Sequence, residues 1–515
     1  MSFAVWFHRA TERAISTKLN IIMITWGWSG LSHDASLAVF VNNELKFASH
    51  TERYSRTKND KNLNHWILSD AILEFGVPDT VYFYEKPLLK KTRQFYAGQY
   101  HLLKKESPTT HMRKFYKEAP KSIPVSHHLS HAAAGYYTSP FVDAAILCID
   151  SIGEWETLSI WTGEGPKLKK IRSQSYPDSV GIWYSAMTQR IGLIPQEHEY
   201  ILMGMAAIGD PNRLYKRIKD DFIDKMPTVT NPYIMFSRNC HRGCKDWAPD
   251  LNTEQDYADI AAAVQRIYEE IFAGLIEYTA NTTKKENIVL MGGCILNCVA
   301  NPLAHKRFKN VWIMPNPGDA GSAIGCVLAK WQRHITWPGP YLGHNIDGNY
   351  PVEEVLQELQ KNHITAVASG RAEFGPRASG NRSILADPRG KHVKERVNKL
   401  KRREAFRPFA PAILEEHTND YFTGITGPYM QYTATCRDPD SFPAITHYDN
   451  TSRVQTVSRD DNSGFRQLLE RWYKETGCPM LLNTSLNIKG EPLVNTKEDA
   501  LRWSANYGVK ICLPE

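Results

Sequence analysis

His127 and His131 lie four residues apart in a segment that also carries His128. On a helix, residues at this spacing project from the same face, so two imidazoles can hold one metal ion. Two carboxylates complete a candidate ligand set: Asp150 ends an apolar run, and Asp319 lies in a glycine-containing loop. A single H-x-x-x-H pair is more often a pair of surface or capping histidines, so the metal site depends on the other motifs of the chain.

A pair of glycines marks a second candidate site. Gly292 and Gly293 follow the apolar run 287–291, and a helical pattern begins at about Asn297. A strand that passes through glycines into a helix lets backbone N–H groups approach a ligand closely. The three residues are therefore predicted to bind a nucleotide or the carbonyl group of a substrate.

Cations are concentrated in the C-terminal third. Between Arg389 and Arg407 the chain has nine Lys or Arg and two Glu. Such a run is often only a solvated helix face, but here it follows a glycine-containing loop with Arg377 and Arg382. Forked guanidinium groups beside exposed backbone N–H groups suit phosphate oxygens, and Arg453 adds a further cation.

A short apolar run ends in hydroxyl and amide side chains at 482–487. Ser485 and Asn487 belong to this stretch, and Lys489-Gly490 follow it. Small polar side chains at a strand end can hold a polyphosphate or a planar carbamoyl group. The order of these motifs predicts an anion and nucleotide pocket in the C-terminal domain.

Two copies of one strand pattern must position the N-terminal motifs. Each copy consists of an apolar run, a polar loop and a hairpin, and the runs are 21–26, 35–41 and 45–48, then 144–149, 157–162 and 168–172. Helices are predicted at 63–75, 256–281 and 320–331. The repetition indicates an internal duplication in an α/β fold, which is the organisation of actin-like ATPases.

The predicted domains are an N-terminal extension at 1–20, a duplicated domain at 21–340 and a C-terminal α/β domain at 349–515. The boundary is placed in the stretch 335–350, where Pro and Gly interrupt the periodicity. The chain of 515 residues is long enough for each domain to bury its own core.

Composition excludes several classes of protein. The formal net charge of +7 permits anionic ligands but gives no strong nucleic-acid signal. No apolar run approaches the ~20 residues that span a bilayer. The nine cysteines form no framework, so we expect a cytoplasmic protein without structural disulfides, and Cys240 and Cys244 with His241 lack a second ligand pair for zinc.

Eight sequence blocks in series carry a resemblance to a known family. The chain resembles the O-carbamoyltransferases of the nodulation and antibiotic-biosynthesis type from Ile21 to the C-terminus. The blocks are S-H-D-A-S-L-A at 32–38, H-H-L-S-H-A-A-A at 127–134, D-S-I-G-E-W at 150–155, G-G-C-I-L-N-C-V-A-N at 292–301, P-G-D-A-G-S-A-I-G at 317–325, G-R-A-E-F-G-P-R-A-S-G-N-R-S-I-L-A-D-P-R at 370–389, R-P-F-A-P at 407–411 and L-N-T-S-L-N at 482–487.

The resemblance implies a duplicated actin-like (ASKHA) N-terminal domain and a YrdC-like C-terminal domain. It implies that carbamoyl phosphate and ATP, with Mg²⁺, give carbamoyl adenylate in the YrdC-like domain. The carbamoyl group then passes to a hydroxyl of an acceptor at the metal site of the first domain. The acceptor, a small molecule, a sugar or a modified nucleoside, is not identified by the sequence, and a homodimer is left open.

Residue by residue, the resemblance implies His127, His131, Asp150 and Asp319 as ligands of a divalent metal, iron in this family. The K-x-R and S-x-N signatures of the YrdC fold fall on the catalytic candidates Lys401, Arg403 and Ser485 and on the substrate-binding candidate Asn487.

Transfer to an alcohol also needs a base. His33 in the first polar loop is the candidate, because an imidazole titrates near neutral pH, although it could equally be a loop residue that bonds backbone. Three other functions are considered: an actin-like sugar kinase, a threonylcarbamoyl-type tRNA-modification enzyme that uses bicarbonate and threonine, and a non-catalytic protein that binds carbamoyl phosphate or nucleotide.

Overall fold

The structure is a computed structural model that describes residues 22–104, 106–404, 406–407, 409–461 and 463–514. The predicted extension at 1–20 lies outside the described residues. The strands of the N-terminal unit are β1 (Ile24–Ser29), β2 (Ser36–Val41), β3 (Glu44–His50), β4 (Thr80–Phe83), β5 (Ser122–Pro124), β6 (Asp143–Ile149), β7 (Glu156–Glu164), β8 (Lys167–Ser175), β9 (Ile223–Lys225), β10 (Met235–Phe236), β11 (Asn287–Met291) and β12 (Asn310–Trp312).

The duplication predicted from the strand pattern is present in the sheet topology. One sheet has the order β3-β2-β1-β4-β5, and the other has the order β8-β7-β6-β11-β12. In both, the first three strands form an antiparallel meander and the last two run parallel to the first strand. The two sheets therefore have the same order and the same directions, and each has its own buried core.

Fifteen helices complete the described part of the chain. They are α1 (Glu52–Ser55), α2 (His65–Phe75), α3 (Pro87–Tyr96), α4 (Pro108–Arg113), α5 (His127–Thr138), α6 (Val180–Arg190), α7 (Glu199–Met205), α8 (Tyr215–Phe222), α9 (Glu254–Thr283), α10 (Ser322–Trp331), α11 (Val352–Asn362), α12 (Lys391–Lys401), α13 (Thr418–Tyr421), α14 (Gly464–Thr476) and α15 (Lys497–Tyr507). Thr253 and Asp256 form a capping box that fixes the start of α9.

Helices α5 and α10 pack closely against each other, and this contact positions the metal-ligand candidates. Gly325 makes it possible, since a Cβ at this position would lie 1.8 Å from the carbonyl oxygen of Ser130. The α5 helix is almost entirely buried, including both of its candidate ligands. The first turns of the two helices are thereby held side by side at the same end of the unit.

The helix predicted from Asn297 is not formed. The glycines lead instead into a 3₁₀ turn at Gly293–Leu296, and a second 3₁₀ segment spans Asn301–Lys306. Pro302 is the second residue of the second segment. The short, tightly wound backbone keeps the chain after β11 close to the end of that strand.

The C-terminal unit is built on a six-stranded mixed sheet of order β21-β17-β22-β16-β14-β23. Its strands are β13 (Tyr341–Ile346), β14 (Ile364–Ala368), β15 (Gly370–Glu373), β16 (Arg382–Ala386), β17 (Ala410–Leu414), β18 (Phe422–Thr423), β19 (Ala434–Cys436), β20 (Thr451–Ser452), β21 (Gln455–Val457), β22 (Met480–Ser485) and β23 (Ile511–Cys512). Strand β13 lies inside the stretch predicted as a boundary and pairs with β15. The exact domain boundary stays a prediction.

No helix in the described residues is both long and apolar enough to cross a bilayer. All nine cysteines carry free thiols, and eight of them are buried. Cys240 and Cys244 donate to the backbone carbonyls of Arg238 and Ala186.

Candidate functional site

The four predicted metal ligands converge on one point. His127 and His131 come from the first two turns of α5, Asp150 follows β6, and Asp319 opens the turn before α10. Their ligand atoms all lie within 4.8 Å of one another, and the two Nε2 atoms are 3.1 Å apart. Ligands about 2.1 Å from one ion are about 3.0–3.4 Å apart when adjacent, so the spacing fits a single ion.

Neighbouring groups hold these ligands in place. The Nδ1 atom of His131 lies 3.1 Å from the hydroxyl of Ser322, which leaves Nε2 directed at the cluster. The N–H of Gly293 donates to Asp150 Oδ1 at 3.2 Å. Such contacts fix the tautomer and the orientation of ligands, as is usual around bound metals. By contrast, His128 bonds Ser159 at 2.7 Å and takes no part in the cluster.

The protonation of the cluster also suits a cation. Burial disfavours charge on His127, yet Asp319 and Asp150 raise its pKa well above the usual value. The imidazoles of His127 and His131 lower the pKa of Asp150 well below its usual range, although burial opposes this. Two carboxylates with lowered pKa values thus face two imidazoles with raised pKa values, and a divalent cation bound among them would displace the imidazole protons. The donor set of two nitrogens and two oxygens fits a transition metal.

A cavity of about 850 Å³ connects this cluster with the C-terminal unit. Asp150 and Asp319 line one end of it, and Lys401 and Ser485 line the other. We call this cavity the main cleft. His33, the candidate base, also lines it, next to Asp34, whose carboxylate pairs with His50 at 3.1 Å.

The C-terminal end of the main cleft is built around Lys401, which is only 6% exposed. Its ammonium group donates to the Ser485 carbonyl at 2.6 Å, to the Ser485 hydroxyl at 3.1 Å and to Asn487 Oδ1 at 2.6 Å. The K-x-R and S-x-N signatures therefore meet through direct hydrogen bonds. Arg403 lies beside them, with its guanidinium 3.8 Å from the ring centre of Phe409.

These cations repel one another. Burial and the neighbouring Arg403 and Arg407 hold the pKa of Lys401 well below its usual value. Burial and the neighbouring Arg453 lower the pKa of Arg377 to about 10. A bound phosphate would offset both the repulsion and the lost hydration, so this end of the main cleft is suited to polyanions.

Arg382, predicted as a phosphate partner, is not among the residues that line the main cleft. It is fully buried and donates five hydrogen bonds to backbone carbonyls. The acceptors are His344, Ser369, Gly370, Asn381 and Asn495. Its guanidinium therefore ties the loops of the C-terminal unit together.

The glycine-pair residues differ in their placement. Gly293 and Asn297 line the main cleft, whereas Gly292 is not among its lining residues. Gly292 has φ of 96°, and a Cβ there would lie 2.2 Å from the Ile149 carbonyl oxygen. The amide of Asn297 is bonded to Gln265, at 2.8 and 3.1 Å, so its side chain already has protein partners.

A smaller chamber of about 310 Å³ adjoins the main cleft, and the sequence did not predict it. Tyr200, Arg407 and Arg453 line both cavities, and Arg407 stacks over the Tyr200 ring at 4.6 Å. His447 lines the chamber with a buried ring, and neither ring nitrogen has a hydrogen-bond partner among the described residues. Arg407 lies at the end of the predicted cation run and His447 is a further cationic group of the C-terminal sequence, but Tyr200 had no sequence signal that joined it to them.

Comparison with known proteins gives a consistent assignment. Residues 85–328 match the family described as "Carbamoyltransferase N-terminus" and residues 356–513 match "Carbamoyltransferase C-terminus". An uncharacterized protein from Synechocystis sp. is 32% identical over 92% of this chain and 93% of its own length. Nodulation protein NolNO of Sinorhizobium fredii is 31% identical over 73% of this chain and 61% of its own length.

The structural similarities are weaker. The structure of HypF from T. kodakarensis aligns with a TM-score of 0.33 and 11% identity, over 60% of this chain and 47% of that chain, which is too low to carry an argument. The sequence matches cover both units and the residues of both cleft ends. On these matches, the chain belongs to the carbamoyltransferase family and is a transferase.

Proposed function

We propose that the protein is an ATP-dependent O-carbamoyltransferase with two reaction sites in one cleft. The observation that carries this proposal is the continuity of the main cleft, which joins a metal-ligand cluster to a cationic pocket. An intermediate made at one end can reach the other within the same cleft. This arrangement suits carbamoyl adenylate, which water hydrolyses.

The first half-reaction is assigned to the C-terminal unit, which we propose to be YrdC-like. Carbamoyl phosphate, ATP with Mg²⁺ and one water give carbamoyl adenylate, phosphate and pyrophosphate. Water displaces phosphate from carbamoyl phosphate to leave carbamate, and the carbamate oxygen then bonds to the α-phosphorus of ATP as pyrophosphate leaves. Lys401 and Arg403 stabilise the charge that develops on the leaving phosphates, and Ser485 and Asn487 hold the planar carbamoyl group. Arg377 and Arg453 contact the polyphosphate, and the second chamber takes the base of ATP.

The second half-reaction is assigned to the metal cluster. His127, His131, Asp150 and Asp319 would hold a divalent ion, proposed to be Fe²⁺, which supplies Lewis-acid polarisation of the carbamoyl carbonyl. His33 accepts the proton of the acceptor hydroxyl as that oxygen bonds to the carbamoyl carbon. The backbone N–H of Gly293 keeps Asp150 oriented throughout. AMP leaves, and the reaction is proposed to take place in the cytoplasm.

The donor substrate tests this proposal. Purified protein should release pyrophosphate from ATP when carbamoyl phosphate is present. Neither carbamoyl phosphate alone nor ATP alone should give release. Equal release with bicarbonate and threonine would contradict the proposal and favour a threonylcarbamoyl-type enzyme, and binding without release would favour a non-catalytic protein.

A further inference from the structure

Helix α3 and its surroundings present exposed rings together with exposed cations. Two stretches distant in the chain, 86–104 and the turn at Cys240–Arg242, form this surface together with Trp155, whose ring lies against Tyr96. They meet where Gly98 lies beside Arg242, whose Nη2 would be 3.8 Å from a Cβ at that position. We call the surface the aromatic-basic face, and its members are Lys86, Phe95, Tyr96, Tyr100, Lys104, Trp155 and Arg242.

The rings of the aromatic-basic face are unusually exposed. Phe95, Tyr96 and Tyr100 are 61%, 70% and 60% exposed. They form two platforms: Phe95 lies 5.4 Å from Tyr100, and Tyr96 lies 5.5 Å from Trp155, between ring centres. Large apolar groups that cluster on a surface mark an interaction site. Two separate platforms can each accept a flat ring.

The cations of the aromatic-basic face form no ion pairs among the described residues, and Glu106, close to Lys104 in the chain, is paired with Lys114 and His111 instead. Lys86, Lys104 and Arg242 are exposed, and none of the three forms an ion pair with a carboxylate in the described part of the chain. Glu85 and Glu154, the carboxylates next to α3, are buried. Glu85 pairs with Lys90 at 2.6 Å, and Glu154 accepts the N–H of Lys86 at 2.6 Å. The face therefore carries a local positive charge.

The aromatic-basic face is connected directly to the metal cluster. Glu154 accepts the backbone N–H of His127 at 3.2 Å as well as that of Lys86. Arg93, on the inner side of α3, donates to the carbonyl of Glu154 at 3.3 Å and lines the main cleft. Gln94 is 3% exposed and also lines the main cleft. The same short helix thus has an outer aromatic surface and an inner polar surface at the mouth of the transfer site.

We infer that the aromatic-basic face binds single-stranded nucleic acid, and that a nucleoside hydroxyl of that strand is the acceptor. Proteins that bind single strands combine cations along the backbone with rings on which bases stack. A double helix hides its base faces, so exposed rings favour a single strand. The cations favour a polyanion over an apolar protein partner.

This inference rests on the proposed function for its chemical step. The nucleoside oxygen forms a bond to the carbamoyl carbon, the bond from that carbon to the phosphate oxygen of carbamoyl adenylate breaks, and AMP leaves. The hydroxyl proton passes to His33. Gln94, Gln99 and His241, which line the main cleft beneath the aromatic-basic face, are placed to contact the base that enters.

Binding of a fluorescein-labelled single-stranded 12-nucleotide DNA of mixed sequence, followed by anisotropy, tests the surface without any carbamoyl donor. We expect affinity to fall as salt rises from 50 to 200 mM, and a duplex of the same sequence to bind more weakly. Tyr96→Ala and Tyr100→Ala should each weaken binding about fivefold or more, since each removes a stacking ring. Lys86→Ser and Arg242→Ser should each make the salt dependence shallower.

Tyr448→Ala is the matched control, because Tyr448 is 66% exposed in the C-terminal unit. It should leave the affinity unchanged, and melting temperatures show whether each variant folds. Equal affinity of wild type and the Tyr96→Ala and Tyr100→Ala variants would overturn the inference. So would equal or tighter binding of the duplex, or binding to phosphatidylserine vesicles in place of the oligonucleotide.

The acceptor claim is tested by mass spectrometry of nucleosides from oligonucleotides, DNA and RNA, incubated with carbamoyl phosphate and ATP. We expect one carbamoyl group on a hydroxyl-bearing nucleoside, and its loss in Tyr96→Ala with pyrophosphate release intact. If pyrophosphate release occurs but no strand binds, this inference alone fails. If the strand binds through the face but release never depends on carbamoyl phosphate, the proposed function fails and the docking surface stands.

Discussion

The Nδ1 atom of His131 lies 3.1 Å from the hydroxyl oxygen of Ser322. A hydroxyl that accepts the Nδ1 proton leaves the lone pair of Nε2 free, and Nε2 points at the other three ligand candidates. The close packing of α5 on α10 fixes this relationship, since one residue belongs to each helix. The metal cluster therefore depends on a helix contact as well as on its four ligands.

The amount of bound metal should depend on the contact between His131 and Ser322. We expect His131→Ala to lose its bound divalent metal, and Ser322→Ala to bind the metal about 10–100-fold more weakly, because the ring loses its orienting partner. Metal per chain is measured by mass spectrometry after dialysis against a graded chelator. His128→Gln is the control, because His128 bonds Ser159 outside the cluster. Loss of metal in His128→Gln equal to that in His131→Ala would show that the site is placed elsewhere.

The two arginines of the glycine-containing loop should behave differently. Arg382→Met leaves five buried carbonyls without their donor, so we expect the free energy of unfolding to fall by about 3 kcal/mol or more. Arg377→Met removes a cation from the main cleft, so the KM for ATP or carbamoyl phosphate should rise with little change in Tm. Thermal unfolding and steady-state kinetics on both variants check this difference. An Arg382→Met variant with an unchanged Tm and a raised KM for ATP or carbamoyl phosphate would contradict it and would support a phosphate contact for Arg382.

The second chamber can be filled through Gly204, which lines it. A Cβ at Gly204 would meet Phe406 and Arg407 at 3.7 and 3.8 Å, so a side chain can be added without a clash at its base. Gly204→Leu should raise the KM for ATP about tenfold or more with an unchanged KM for carbamoyl phosphate. Gly204→Ala is the control, with a normal KM and a helix stabilised by about 1 kcal/mol or less. Normal ATP kinetics in Gly204→Leu would exclude the chamber as the site of the base.

Acid stability should depend on Glu416. Its hydrogen bonds to Arg466 lower the pKa of this carboxyl from 4.5 to about 2. A carboxyl with a lowered pKa in the folded state stabilises the fold above pH 4.5, and this stabilisation is lost as the pH falls toward 2. Glu416→Gln should therefore be less stable at pH 7 and lose less stability between pH 5 and pH 3, measured by urea unfolding. Glu415→Gln should match the wild type, and equal pH profiles for all three proteins would contradict the assignment.

Local patterns predicted the repeated strands and the metal ligands because each depends on neighbours in sequence. The meander Ile24–His50 alternates short apolar runs with turn residues, and the spacing of His127 and His131 fixes a shared helix face. Asp150 and Asp319 are distant in the chain, so their pairing was predicted from their places at a strand end and a helix start together with the family resemblance. The structure brings the two together through the ends of neighbouring elements.

Other features could not be read from local sequence. Arg382 and Arg377 share one loop and one set of glycines, and only tertiary packing separates the buried arginine from the cleft arginine. The second chamber joins Tyr200 to His447 across the two units. The aromatic-basic face joins α3 to Arg242, so the overall charge of the chain did not reveal a concentrated patch.

The central claim is that two half-reactions occur at opposite ends of one cleft, and pyrophosphate release in two variants tests it most directly. With ATP and carbamoyl phosphate, His131→Ala should release pyrophosphate at close to the wild-type rate but transfer no carbamoyl group. In Ser485→Ala, the rate of pyrophosphate release should fall about tenfold or more. Normal release in Ser485→Ala together with loss of release in His131→Ala would contradict the assignment of the two sites.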